Sequence, residues 1–241
     1  MPTSASRPLN KATSTALLLP YKLKVETVTG IGADLQIRSL LDRQQFYDPD
    51  GEAEALGSSS AAWPIFGMLW PSSRVLAHAM LTFDTNGKRI LELGCGLALA
   101  SLVLHRRGGN ITASDCHPLA ATFLRENLKL NNLPAMRYET GNWSRSNPEL
   151  KLFDLMIGSD VLYDRDQPEA LSQFINLHAA PGAEVFVVDP DRGNRVSFNR
   201  KMFALGYTHT EEKVTKLPGD GAAYKGRLLR YQKAPTACSV A

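Results

Sequence analysis

The sequence predicts a doubly wound α/β fold: a mostly parallel seven-stranded sheet with an antiparallel C-terminal strand pair, preceded by an N-terminal β-hairpin. Three observations carry this expectation. Between residues 89 and 205, short apolar runs alternate with amphipathic stretches, the pattern of a parallel sheet clad by helices on both faces. The last two β-rich segments, 207–216 and 226–233, are separated only by a turn around Pro218 to Gly221, so they should pair antiparallel. Upstream, 22–28 and 34–40 alternate at period two on either side of Thr29-Gly30-Ile31-Gly32, which reads as a hairpin.

Each element follows in turn. In the hairpin, Leu23, Val25 and the Thr27 methyl share one side of the first strand, and Leu35 and Ile37 one side of the second. Residues 42–62 are polar and rich in Gly, Ser and Ala, and read as a surface connection. Pro71 opens a helix whose apolar stripe is Val75, Leu76, Ala79 and Met80. Strand 89–93 leads to helix 97–107, stopped by Gly108 and Gly109. Strand 110–115 leads to a helix from Pro118 to about Asn131. Strand 135–140 ends in a loop carrying Trp143. Strand 153–160 leads to helix 168–178, and strand 183–190 to helix 195–205, which Gly206 ends. The chain thus divides into an N-terminal tail (1–20), hairpin and connection (21–62), one α/β domain (63–235) and a C-terminal tail (236–241).

Composition narrows the function classes. The chain has 241 residues, 44% hydrophobic and 21% charged, which suits a globular core. A net charge of +3 is too balanced for a dedicated nucleic-acid surface. No apolar run approaches the ~18 residues that cross a bilayer, so no membrane partner is expected. Three cysteines, Cys95, Cys116 and Cys238, make no disulfide framework, and a reducing, cytoplasmic setting is the easier reading. Residues 1–25 carry no acid, and Arg7 and Lys11 precede the run Ala16 to Leu19. That run is shorter than the ~7 residues of a secretory core. A mobile polar tail is preferred, with an organellar transit segment as the alternative. The histidines and cysteines show no metal-ligand spacing, so no metal is expected.

Ligands of open α/β sheets bind beyond the carboxyl ends of the strands. There the sequence offers Glu92-Leu93-Gly94-Cys95-Gly96-Leu97-Ala98. Gly94 and Gly96 permit a sharp turn and close backbone approach to a ligand. The third glycine of a dinucleotide fingerprint would fall at Leu99, which disfavours a pyrophosphate. Glu92, just before the glycines, suits a cationic portion of a ligand. Asp115 ends the next strand, 115 − 94 = 21 residues after Gly94, the spacing of an acid that accepts from ribose hydroxyls. It could also cap the turn before Pro118. A ribose with a cationic amino-acid portion and no phosphate describes S-adenosylmethionine better than NAD.

The runs ILELGCGLALA, TASD, FLRENLKLNN, GNW and SDVLYD, with WPSS upstream, resemble the seven-β-strand methyltransferases, whose fold is Rossmann-like. The resemblance covers roughly residues 63 to 233. It is closest to the protein-lysine methyltransferase group that carries a DxxY motif, here Asp160-Val161-Leu162-Tyr163. It implies S-adenosyl-L-methionine as cofactor. It also implies that Gly94, Cys95 and Gly96 line its methionine half, Asp115 holds the ribose and Trp143 flanks the adenine. Ser159 would contact the cofactor through its backbone, and Trp70 would close over it. Ala98 departs from the glycine many relatives have there.

The resemblance further implies that Asp160 and Tyr163 are the catalytic pair. A free lysine amine has a pKa of ~10.4, so the site must align the amine and favour its deprotonation. Asp160 can attract and hold an ammonium, and Tyr163 can orient the nitrogen. The expected acceptor is a lysine of a protein substrate, with a small-molecule amine or pyridine as runner-up and an inactive cofactor-binding module as the other class. Substrate recognition is expected from the hairpin, the 42–62 connection and the loop at 190–194. Asp189-Pro190-Asp191-Arg192 could touch substrate, and His117 reads as a turn residue.

Overall fold

A computed structural model of the chain describes residues 20–144, 147 and 150–233. The tails expected at the two ends fall outside these residues, apart from Pro20. The elements are β1 (Leu23–Val28), β2 (Leu35–Leu40), α1 (Glu52–Ala55), a 3-10 turn (Trp63–Gly67), α2 (Pro71–Ala79), β3 (Arg89–Leu93), α3 (Leu99–Arg106), β4 (Asn110–Asp115), α4 (Ala120–Leu130), β5 (Arg137–Thr140), β6 (Phe153–Ser159), α5 (Gln167–His178), β7 (Ala179–Asp189), α6 (Asn194–Ala204), β8 (Tyr207–Lys216) and β9 (Ala223–Lys233).

β3 to β9 form one seven-stranded sheet in the order β5-β4-β3-β6-β7-β9-β8. The first five are parallel, and β9 runs antiparallel to both β7 and β8. The strand order reverses between β3 and β6, which opens a crevice beyond their carboxyl ends. Alternation along β3 serves both faces. Ile90 packs with α2, α3 and α4, while Leu91 and Leu93 pack with α5 and α6. Burial on both faces is why these strands read as nearly continuous apolar runs.

The N-terminal pair β1–β2 forms a separate antiparallel sheet. Its outer edge is met by two asparagines one turn apart, Asn127 on α4 and Asn131 at its C-cap. Asn127 accepts from the Arg38 N–H (2.7 Å) and donates to the Arg38 carbonyl (3.2 Å). Asn131 does the same for Gln36, at 2.8 and 2.7 Å. Two side-chain amides thus stand in for a neighbouring strand and satisfy an edge that would otherwise offer unpaired groups.

Four expectations need correction. The inward residue of β1 is Val28, not Val25, which is 53% exposed. The strand follows the register in which Val28 faces Leu35, so the buried set ends in Val28 and Ile31. The 42–62 connection is not all surface. Asp48 accepts from the N–H groups of Ala53 and Glu54, which starts α1 and buries Ala53. β7 begins at Ala179 rather than 183, because Pro181-Gly182 is absorbed as an irregularity between two stretches paired with β6. α3 begins at Leu99, because Ala98 sits in the left-handed region at φ 57°.

Trp63, 1% exposed, is packed by Tyr21, Phe46, Phe66 and His117. This aromatic cluster joins the N-terminal sheet, the connection and α4 beside the crevice.

Candidate active site

The loop from β3 to α3 takes positive φ at every second residue: Gly94 (57°), Gly96 (52°) and Ala98 (57°). A side chain at Gly96 would meet the Phe66 carbonyl at 2.8 Å, and one at Gly94 would meet Val161 at 3.0 Å and Trp143 at 3.3 Å. Both glycines are therefore required by space as well as by dihedral. Asp115 closes this loop against β4. Its Oδ2 accepts from the Gly96 N–H and its Oδ1 from the His117 N–H, both at 2.8 Å. Burial pushes its carboxyl above the ordinary range, opposed by those donors.

Glu92 is 1% exposed and takes no part in the cavity wall. Its carboxylate accepts from both the N–H and the hydroxyl of Ser101 on α3. Burial raises its pKa to about 7. The sequence expectation of a ligand contact is not what the geometry gives. Glu92 faces the α3 side of β3, and its oxygens are spent on holding α3.

A cavity of about 450 Å³ lies beyond the ends of β3, β4 and β6, within the range of small-molecule sites. Trp70, Gly94, Cys95, Gly96, Asp115, Trp143 and Ser159 all border it, as do Asp160 and Tyr163. The Trp70 indole donates to the Ile65 carbonyl at 2.9 Å, which fixes the ring at the rim. The donor set fits an adenosyl ligand. Asp115 keeps lone pairs beyond the two already used, an indole face is available, and much of the remaining wall is apolar.

Asp160 follows β6 in the left-handed region at φ 58°, tolerated by Asp and uncommon otherwise. Its N–H donates to the Val188 carbonyl at 2.8 Å, which anchors the turn to β7. Asp160 Oδ1 lies 2.6 Å from Arg192 Nη1, and Oδ2 accepts from Nη2 at 3.3 Å. Burial pushes the Asp160 carboxyl up and Arg192 opposes that. Tyr163 is 49% exposed, at the mouth.

Comparison with known proteins decides the family. A family model described as lysine methyltransferase matches residues 58–200. The chain belongs to the lysine methyltransferase family. Among curated proteins, it is 30% identical over 160 residues to the electron transfer flavoprotein beta subunit lysine methyltransferase of Danio rerio, covering 63% of this chain and 60% of that protein. It is 30% identical over 178 residues to the Rattus norvegicus protein of the same name, covering 72% and 67%. The chain thus spans about 60 to 67% of these relatives' length. Among solved structures, a methyltransferase from Pyrococcus furiosus superposes with a TM-score of 0.55 at 20% identity, over 78% of this chain and 100% of that one, a likeness of fold.

For this lysine methyltransferase family member, several residues that the sequence placed only within a region expected to meet substrate, or read as a turn, also border the cavity. Leu56, Gly57 and Ser58 of the connection form part of the wall, but their composition reads as loop. His117 also borders it, with its ring stacked on Phe66 (centroids 3.6 Å apart) and its pKa lowered to about 4 by burial. Arg192 was expected as a residue that could touch substrate, but its pairing with Asp160 was not. The acid-base run DPDR was its one available signal. Of the three regions expected to recognise substrate, the connection and Arg192 reach the cavity, whereas β1 and β2 do not line it.

Proposed function

We propose that this protein is an S-adenosylmethionine-dependent N-methyltransferase that modifies a lysine side chain of a protein substrate. One observation carries the reading: Asp160 and Tyr163 border the same cavity as the glycine loop, Asp115 and Trp143. Bound S-adenosylmethionine would supply a methyl group activated on a sulfonium. Asp115 would accept from the ribose hydroxyls with its remaining lone pairs, and Trp143 would flank the adenine. Gly94, Cys95 and Gly96 would border the amino-acid portion, Ser159 would contribute backbone, and Trp70 would close the rim. Glu92 supports this end by fixing the start of α3 rather than by touching ligand.

At the other end, Asp160 would draw in the ammonium of the acceptor, and Tyr163 would orient its nitrogen. A carboxylate is too weak a base to deprotonate an amine of pKa ~10.4, so the proton leaves to water before alignment. Holding the lone pair on line with the methyl supplies much of the rate. The exposure of Tyr163 supports a tethered acceptor, because that end opens to solvent. In this reading residues 63–235 form the catalytic unit, and the 21–62 region supports it through Leu56, Gly57 and Ser58 at the wall. Cys95 and Cys116 are free thiols, which agrees with a reducing, cytoplasmic setting.

The test is transfer from S-adenosylmethionine labelled in its methyl group to the proteins of a whole-cell lysate, followed by hydrolysis. Label in methyllysine is expected. Label only on small molecules, or only on another amino acid, would overturn the assignment.

A further inference from the structure

The loop after β7 is fixed along its backbone and turns one cation toward the cavity. The Arg192 N–H donates to Asp189 Oδ1 at 2.9 Å. The neighbouring Asp191, at φ 63°, is held by Arg227 at 3.2 Å and Arg195 at 3.3 Å. Between these anchors the Arg192 side chain reaches Asp160, the only residue its guanidinium pairs with among the described residues. The two partners differ in setting: the Asp160 side chain is 10% exposed and that of Arg192 41%. Asp189 adds a second buried carboxylate nearby, whose Oδ2 has no partner among the described residues.

The carboxylate assigned to the incoming ammonium therefore already carries a guanidinium: Oδ2 accepts from Nη2, and Oδ1, buried and without a hydrogen-bond partner among the described residues, lies in ion-pair contact with Nη1. We propose that Arg192 is a stand-in cation, seated on Asp160 where the substrate ammonium binds and displaced into solvent when the amine enters. The proposal rests on reading Asp160 as the amine site. Two observations carry it further. Asp160 Oδ1 is sealed from solvent and keeps an unused acceptor position among the described residues, while the guanidinium lies over Oδ2, so an ammonium that takes full hydrogen bonds from this carboxylate does so in place of Arg192. The exposed Arg192 side chain can rotate away while its backbone stays on Asp189, so release needs no loop movement. Exchanging one cation for another leaves the charge at the site unchanged and never strands a buried carboxylate unpaired. Arg192 thereby competes with the acceptor and sets its affinity.

The test uses n-butylammonium, which carries the end of a lysine side chain, titrated into the protein saturated with S-adenosylhomocysteine. Arg192→Ala and Arg192→Gln should each bind it at least ten-fold more tightly than the wild type. Adding Asp160→Asn to either should remove the gain. Unchanged melting and S-adenosylhomocysteine affinity certify that the variants are folded, and the glutamine variant serves if the alanine one is not. Equal or weaker n-butylammonium binding in a folded Arg192 variant overturns the proposal. Label transfer to lysine, run on the same proteins, separates the two readings. Transfer by the wild type with no affinity gain in the variants removes the stand-in and leaves the lysine assignment. A gain that depends on Asp160 without any transfer supports the stand-in and removes the lysine assignment.

Discussion

Asp115 Oδ2 accepts a hydrogen bond from the Gly96 N–H at 2.8 Å, so the end of β4 and the glycine loop after β3 are clasped before any ligand arrives. The other oxygen accepts from the His117 N–H. One side chain thus shapes the loop and faces the cavity, and the two roles cannot be separated by simple deletion. Asp115→Ala should lower stability by about 1–3 kcal/mol for each buried donor left without an acceptor. It should also weaken S-adenosylhomocysteine binding ten-fold or more, a charge-assisted bond contributing ~1.5–3 kcal/mol. Asp115→Asn keeps one acceptor and should melt between the two. Thermal unfolding and calorimetry check both effects, and unchanged ligand affinity in a folded variant refutes the ribose role.

Glu92 makes a pH prediction. Its folded pKa of about 7 lies above its ordinary 4.5 because burial penalises the charge. The native state therefore holds this proton more tightly than the unfolded chain. The contribution is fully present below about 4.5 and is lost as pH rises toward 7. The rise from 4.5 to about 7 corresponds to about 3 kcal/mol. Glu92→Gln cannot titrate, so the stability of wild type minus variant should fall between pH 4.5 and 7 and level off above. Denaturant unfolding at several pH values reads it. A flat difference means that Glu92 titrates alike in the folded and unfolded chain, and that burial does not raise it.

The edge of β2 depends on Asn127 and Asn131. Asn127→Ala leaves the Arg38 N–H and carbonyl without their partners, and Asn131→Ala does so for Gln36. Each should cost about 1–3 kcal/mol. Amide exchange at Arg38 should accelerate selectively in the first variant and at Gln36 in the second. Equal protection in both would mean the hairpin holds its edge without α4.

The alternation of strands and helices was legible because both faces of the sheet are buried and glycines follow α3 and α6. Gly94, Gly96 and Asp115 were legible as cavity residues because they stand at the carboxyl ends of strands, where the pattern announces a ligand, and Asp160 and Tyr163 were legible through the DVLY run that carries the family resemblance. Other features were hidden because they depend on contacts distant in sequence. Glu92 turns away to Ser101, a fact fixed by which face of β3 it occupies. Val25 and Val28 are indistinguishable until the register with β2 is known. The wall contributed by Leu56 to Ser58 follows from the burial of Ala53 and Trp63, which a polar composition conceals. The ion pair of Arg192 with Asp160 joins loops 32 residues apart.

The division between a cofactor end and an amine end is tested most directly at Asp160. Asp160→Asn preserves shape, and asparagine tolerates the φ of 58°. Methyl transfer to lysine and S-adenosylhomocysteine affinity are measured side by side on this variant and on Tyr163→Phe. Transfer should fall about 100-fold or more in Asp160→Asn, since the amine is no longer held on line. In Tyr163→Phe the fall should be about 10-fold, for one lost hydrogen bond. Cofactor-product affinity should change by no more than a few-fold in either. Normal turnover in both variants, or a loss of cofactor affinity that accounts for the lost transfer, would contradict the account.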